Sequence, residues 1–149
     1  MGATPQVALS SIILPRMSPE LQERTLIEIT ETAQDVFAQA GAKLVGGHTT
    51  MGSELTIGFT VTGTRNISPI AVSGAKAGDV LLLTRPIGSG IILAGHMDGT
   101  APARVVAAAL EIMAKPQLCE AALLKNAHAM TDVTGFGLAG HVQTICRAS

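Results

Sequence analysis

A diglycine segment at residues 46–49 is the first place where residue types and spacing could support chemistry. It reads Gly46-Gly47-His48-Thr49 and follows a short apolar run, so we predict a strand over 43–45 that ends in a loop. Glycines let a backbone approach a ligand and turn its amides outward, and His48 and Thr49 add polar groups, so such a loop can cradle phosphate. The alternative is a tight turn with a hydrogen-bonded histidine. Spacing alone favours that alternative, because short glycine motifs are common.

Asp132 is the second candidate. It lies in Thr131-Asp132-Val133-Thr134-Gly135, between a predicted short strand at 129–131 and a helix predicted from about Phe136 to Cys146. Mg²⁺ prefers one or two carboxylates together with phosphate oxygens and waters, so Asp132 is a candidate metal ligand near free helix-start amides. The alternative is an N-cap role, with Gly135 and Gly137 shaping the turn. The residues alone leave both interpretations open.

A third glycine turn spans residues 85–90, Arg85-Pro86-Ile87-Gly88-Ser89-Gly90. It could hold an anion at a helix start, but it lacks the Lys-Ser/Thr ending of a P-loop. Structural packing is the favoured interpretation. The histidines at 96, 128 and 141 have no mutual ligand spacing, and we expect His141 to be a packed residue of the last helix. Cys119 and Cys146 form no C-x-x-C pair, so we expect two reduced thiols rather than a zinc or disulfide site.

The elements that must position these residues form two groups. The first group begins with a strand at 7–14, whose apolar side chains on both faces predict burial on both sides. A helix from Ser18-Pro19 to Gly41, the 43–45 strand and an alternating strand at 55–62 of antiparallel or edge type complete it. The second group is a strand at 80–84, a short helix through Ala94, and helices at 102–114 and 117–126. The predicted domains are therefore 1–66 and 79–149, joined by a linker at 67–78.

Composition excludes several classes of function. Hydrophobic residues make up 47% of the chain, which supports a packed core, and charged residues make up 14% with a formal net charge of −1. A near-neutral chain that is 2% aromatic lacks the basic and stacking surfaces of nucleic-acid binders. No apolar run is long enough to cross a membrane, and the first residues lack the basic and apolar regions of a signal peptide. We therefore expect a cytoplasmic protein without a nucleic-acid or membrane partner.

Residues 131–141 closely resemble the signature of selenophosphate synthetases (selenide, water dikinases), which belong to the AIR-synthase-like superfamily. The diglycine segment and the later Val61-Thr62-Gly63 are similar to that family's Gly-Gly-His-Ser/Thr and Val-Thr-Gly. Residues 84–90 resemble its Thr-Lys-Pro-Leu-Gly-x-Gly turn, with Arg85 in place of lysine. The likeness extends in order along the whole sequence.

The resemblance implies an α/β fold of layered α+β type. Residues 1–66 would be the second half of an N-terminal dimerisation domain, and 79–149 the first part of a C-terminal domain. The family makes selenophosphate, AMP and phosphate from selenide, ATP and water, needs Mg²⁺, and works as a homodimer. Carried over by motif, Gly47, His48 and Thr49 would bind ATP at a site shared across the dimer, and Asp132 would bind Mg²⁺.

The sequence also departs from the family, so whether it is an active enzyme stays open. The family's upstream Cys and Lys segment and its upstream Asp ligands have no counterpart here, and we expect a central fragment without detectable dikinase activity. The alternatives are a non-catalytic dimeric scaffold, a nucleotide-binding module, and another ATP-dependent enzyme of the superfamily. Because an incomplete sheet leaves open edges, we expect a homodimer or higher homo-oligomer.

Overall fold

The computed structural model describes residues 2–66 and 68–149. Two compact units are present, Ala3–Ile67 and Ser68–Ser149, the latter together with the first two residues. Met1 and Ile67, the first residue of the predicted linker, lie outside the described residues. We refer to these parts as the first and second units.

The first unit is a three-stranded sheet with one helix. Its elements in chain order are β1 (Thr4–Pro15), α1 (Pro19–Gln39), β2 (Lys43–Gly52) and β3 (Thr56–Thr64). The strand order is β2-β1-β3, with β1 parallel to β2 and antiparallel to β3. The predicted order of strand, helix, strand and strand is confirmed, as is the antiparallel edge position of β3.

Helix α1 begins and ends where local chemistry requires it to. The Ser18 hydroxyl accepts a hydrogen bond from the Leu21 amide at 3.3 Å, and Pro19 follows at the first helical position. Gly41, just past the C-cap, has φ +74°, a conformation that a side chain would strain. The helix is the element that the sequence predicted best.

The core of the first unit lies on one face of the sheet. Ala8, Ile12 and Leu14 are buried, whereas Leu9 on the opposite face of β1 is 50% exposed. Helix α1 covers the buried face, where the rings of Phe37 and Phe59 meet edge to face at 5.3 Å. The expectation that β1 is buried on both faces is therefore wrong, since no second layer covers the other face in the described part of the chain.

The second unit contains four helices. They are α2 (Ser89–Met97), α3 (Ala103–Ala114), α4 (Leu118–Leu123) and α5 (Gly137–Ala148). No strand occurs among residues 68–149, so the predicted strands at 80–84 and 129–131 are wrong. A strand needs a neighbour for its backbone groups, and the apolar run at 80–84 finds none within this unit. None of the described helices is both long and apolar enough to cross a membrane.

The turn at 85–90 has a packing role, as its favoured interpretation predicted. The Arg85 guanidinium donates to the backbone carbonyls of Ile112 and Lys115, which lie at the C-terminal end of α3. A cation there donates to carbonyls at the end of the helix, where partners within the helix run out, and complements the helix dipole. Gly88, at φ +110°, is the N-cap of α2.

The Asp79 carboxylate forms several hydrogen bonds near the start of the second unit. The Asp79 carboxylate accepts the Lys76 amide at 2.8 Å, and the Asp79 amide donates back to the Lys76 carbonyl at 3.0 Å. The His128 ring donates to both Asp79 oxygens at 2.9 Å. Nearby, the Met130 amide donates to the Ala71 carbonyl at 2.9 Å. Described residues of the predicted 67–78 linker therefore contact this unit directly.

We predict an acid-dependent contribution of Asp79 to stability. The Lys76 amide, followed by the His128 ring, lowers the pKa of the Asp79 carboxyl from its ordinary value of 3.8. A folded-state pKa below the unfolded one stabilises the fold above the unfolded pKa, and this contribution is lost as pH falls through the folded pKa. In urea unfolding at about pH 5, the free energy of unfolding of the wild type should exceed that of Asp79→Asn. This difference should shrink as the pH is lowered to about 3. Asp98→Asn, at an exposed position, is the control. A difference that persists at the lower pH would contradict the prediction.

Candidate functional site

The residues predicted to contact ATP lie in a strand and not in a loop. Strand β2 continues through Gly47, His48 and Thr49 to Gly52, so the predicted end of the strand at residue 45 is wrong. The continuation follows from pairing, because β1 remains in parallel register with β2 as far as Pro15 opposite Gly52. Glycines predict a loop only when no neighbouring strand takes up their backbone groups.

Close approach of β1 explains one of the two glycines. A Cβ atom on Gly47 would overlap the Ser10 hydroxyl and carbonyl oxygens and lie 2.8 Å from the Ser10 nitrogen. A Cβ on Gly46 would meet only Leu9 Cδ2, at an ordinary 3.6 Å. Strand packing therefore requires glycine at 47 and tolerates alanine at 46.

Strand β2 nevertheless offers accessible donors. It is an outer strand of the sheet, so the backbone groups that face away from β1 have no strand partner there. His48 and Thr49 are exposed and point to opposite faces, His48 opposite Ser11 and Thr49 opposite Ile12. Amides and a hydroxyl in this arrangement can donate to phosphate oxygens.

Asp132 lies in an exposed irregular segment of the second unit. The N-cap of α5 is Phe136, four residues further on, so the alternative that Asp132 caps the helix is wrong. Its carboxylate makes no hydrogen bond or ion pair with the residues that the structure describes. The group is therefore available to an external cation.

A histidine holds the loop that follows Asp132. His141 Nε2 accepts the Thr134 amide at 3.1 Å and lies 3.2 Å from the Thr134 hydroxyl. The Gly137 amide donates to the Thr134 carbonyl at 2.9 Å, and Gly137 has φ +67°. This confirms that His141 is a hydrogen-bonded structural residue. The sequence did not identify its partner, because a seven-residue spacing across a turn and a helix start carries no simple signal.

The described residues offer no cluster of metal ligands, but they offer a single carboxylate that suits one kind of metal site. Within 2–66 and 68–149, no three His, Cys, Asp or Glu side chains lie close enough together to hold an ion. One free carboxylate suits Mg²⁺ when phosphate oxygens and waters supply its other ligands. Asp132 thus fits as one contributor to a nucleotide-bound magnesium ion. Gly47, His48 and Thr49 belong to the first unit and Asp132 to the second.

Both units are similar to domains of known proteins. Residues 1–65 match the family model described as AIR synthase related protein, N-terminal domain, and residues 76–149 match the corresponding C-terminal domain. The solved structure of AaThiL complexed with AMPPCP and TMP has the same fold, with a TM-score of 0.74 at 19% identity, over 99% of this chain and 48% of that one. The AIR-synthase-like α/β fold is thereby confirmed.

Curated relatives align along the full length of the chain. The selenide, water dikinase of Bdellovibrio bacteriovorus is 35% identical over 100% of this chain and 43% of its own length. That of Geobacter metallireducens is 40% identical over 100% of this chain and 44% of its own length. The chain therefore spans less than half the length of these relatives. With both domain models matched and selenide, water dikinases aligned from end to end, the chain belongs to the AIR synthase related family, as the selenophosphate synthetase resemblance of residues 131–141 predicted.

Proposed function

We propose that the chain is part of a selenophosphate synthetase-like protein, an enzyme that converts selenide, ATP and water to selenophosphate, AMP and phosphate, with one phosphoryl group of ATP transferred to selenide. The observation that carries the proposal is its 34–40% identity to selenide, water dikinases along 95–100% of its length. Homodimerisation and a cytoplasmic location are parts of the same proposal and follow from the family resemblance.

In this proposal each unit contributes groups to nucleotide binding. The outer backbone of β2 at Gly47, the His48 ring and the Thr49 hydroxyl would bind ATP phosphates, and Asp132 would bind Mg²⁺. Phosphoryl transfer is catalysed mainly by positioning and by neutralising charge with metals and donors, so such groups suffice for a binding role.

We expect the isolated chain to bind nucleotide without catalysing the reaction. Asp132 is a lone metal-ligand candidate among the described residues, whereas phosphoryl transfer commonly uses metal ions held by several protein groups. Selenide-dependent formation of AMP by the purified chain would contradict this expectation.

The second candidate function is a non-catalytic dimeric scaffold. One observation favours it, namely that strand packing against Ser10 explains Gly47 without any ligand. Another ATP-dependent activity of the AIR synthase related family is the third possibility, since AaThiL has this fold. Nucleotide binding separates the scaffold from the two enzymes.

Asp132→Asn is the variant that tests nucleotide binding. Calorimetric titration with a non-hydrolysable ATP analogue should show binding that needs Mg²⁺, and the variant should weaken it by about tenfold or more, because a carboxylate–metal contact is lost. Asp98→Asn is the matched control, since Asp98 is also exposed and lies at the C-cap of α2.

Two results would contradict the proposal. Equal affinity of Asp132→Asn and wild type would remove Asp132 from the site. A stable dimer that binds no nucleotide at all would favour the scaffold.

A further inference from the structure

We propose that His128 and His141 are positioning residues for Asp132, because they anchor the two ends of the short segment that carries its carboxylate. This segment, residues 131–133, is called the Asp132 loop. The positioning role rests on the proposed function, since it concerns how the chain presents Asp132 to a magnesium ion. All the contacts involved lie within the second unit.

The first anchor precedes the Asp132 loop. His128 Nδ1 lies 2.9 Å from each oxygen of the Asp79 carboxylate. An ionised carboxylate only accepts hydrogen bonds, so this ring nitrogen carries the proton and donates it. Two residues further along the chain, the Met130 amide donates to the Ala71 carbonyl at 2.9 Å. The chain that enters the loop is therefore fastened at a side chain and at a backbone amide.

The segment that carries Asp79 is itself held in place. The amides of Gly74 and Ala75 donate to the hydroxyl of Ser149, at the C-cap of α5, at 3.1 and 3.0 Å. A Cβ atom on Gly74 would lie only 2.8 Å from the His128 carbonyl oxygen, so the two backbones approach closely. The partner of the His128 ring therefore belongs to a backbone that is fixed at several points.

The second anchor follows the Asp132 loop. His141 Nε2 accepts a hydrogen bond from the Thr134 amide at 3.1 Å. Because an amide only donates, this ring nitrogen carries no proton. The ring also lies beside that of Phe136, with the two centroids 6.0 Å apart. Helix α5 thus holds the chain that leaves the loop through one of its own side chains.

The two anchors limit the positions that Asp132 can reach. Only the three residues of the loop separate the hydrogen-bonded amides of Met130 and Thr134. The Asp132 carboxylate has no partner among the described residues, so these anchors supply the control of its position. A loop that is ordered in advance loses less conformational entropy when it binds a ligand. Groups that orient a metal ligand without touching the metal commonly change metal affinity by about 10- to 100-fold.

Paired substitutions separate a hydrogen-bonding role from a packing role at each histidine. His128→Leu and His141→Leu remove the hydrogen-bonding nitrogens and keep an apolar side chain. His128→Asn keeps a donor near the position of Nδ1, and His141→Gln keeps an acceptor near the position of Nε2. If the hydrogen bonds position the loop, these conservative variants should restore what the leucine variants lose.

Magnesium dependence of nucleotide binding is the first measurement. With a non-hydrolysable ATP analogue at fixed concentration, the Mg²⁺ concentration for half-maximal binding should rise about tenfold in each leucine variant. In the conservative variants it should stay within about threefold of the wild-type value. His96→Leu is the matched control and should behave as wild type. His96 is exposed on α2, and its ring has no partner among the described residues.

Amide hydrogen exchange without nucleotide or metal is the second measurement. His141→Leu should raise the exchange rate of the Thr134 amide by about tenfold, and His128→Leu should do the same at Met130. Exchange at Ala109, buried on α3, should not change. Faster exchange at Ala109 as well would mean that the histidines support the whole unit, which would overturn the positioning role.

The outcomes distinguish this role from the proposed function. If the wild type binds nucleotide and a leucine variant needs no more Mg²⁺ than the wild type, that histidine does not position Asp132. Weakened binding that the conservative variants do not restore would also overturn the role of the hydrogen bonds. A wild type without Mg²⁺-dependent binding would contradict the proposed function itself, and the positioning role would fall with it.

Discussion

Replacing Gly47 with alanine is expected to lower the free energy of unfolding by about 3 kcal/mol. The added methyl group would overlap the hydroxyl and carbonyl oxygens of Ser10. Neither the β1 backbone nor the β2 backbone can move away without breaking the parallel ladder, which pairs Ser10 with Gly47. Urea unfolding followed by circular dichroism measures the change.

Gly46→Ala is the matched control for this prediction. Its Cβ would make only an ordinary contact at 3.6 Å with Leu9 Cδ2, so we expect a change within about 0.5 kcal/mol. If both variants lost similar stability, the close approach of β1 would not be the reason for glycine at 47. The glycine at position 47 would then have to be explained by a role in ATP binding.

Gly47 shows the limit of predicting secondary structure from neighbouring residues alone. Gly46-Gly47-His48-Thr49 has the composition of a loop, and nothing within a few residues contradicts that interpretation. The strand exists because β1, more than thirty residues earlier, pairs with this segment through Gly52. Helix α1 was predictable because its Ser18 cap, Pro19 and the stop at Gly41 all act locally.

The same distinction explains the second unit. The apolar run at 80–84 predicted a strand, but the periodicity of a segment does not show whether a neighbouring strand is present to pair with it. The helices α2 and α3 needed no such neighbour and were predicted close to their observed bounds. In sheets, a prediction from one segment depends on another, and this unit contains no second strand among its described residues.

The roles of the candidate site residues stay predictions, and the sequence did not identify the contacts around them. The motif pointed to Asp132, whose carboxylate is exposed and has no partner among the described residues. It did not reveal that His141 holds Thr134, or that Arg85 binds the end of α3. Both contacts join a side chain to backbone groups at least seven residues away, so residue types alone do not identify them.

Replacing Ile12 with alanine is expected to cost about 3–4 kcal/mol. Ile12 is 1% exposed and is the one large side chain in the described residues that is fully buried. Truncation would leave a cavity between the sheet and α1, and so small a core has few neighbours that can collapse into it. Unfolding in urea should show the loss as a lower midpoint with an unchanged slope.

Ile57→Ala supplies the control, because it changes the same residue type in the neighbouring strand. Ile57 lies directly opposite Ile12 in the antiparallel register but is 44% exposed. Since much of its surface already contacts water, we expect a loss of about 1 kcal/mol or less. Equal losses at the two positions would mean that β3 is covered as completely as β1, for example by a second copy. The exposure of Ile57 at this edge of the buried face would then hold only for the isolated chain.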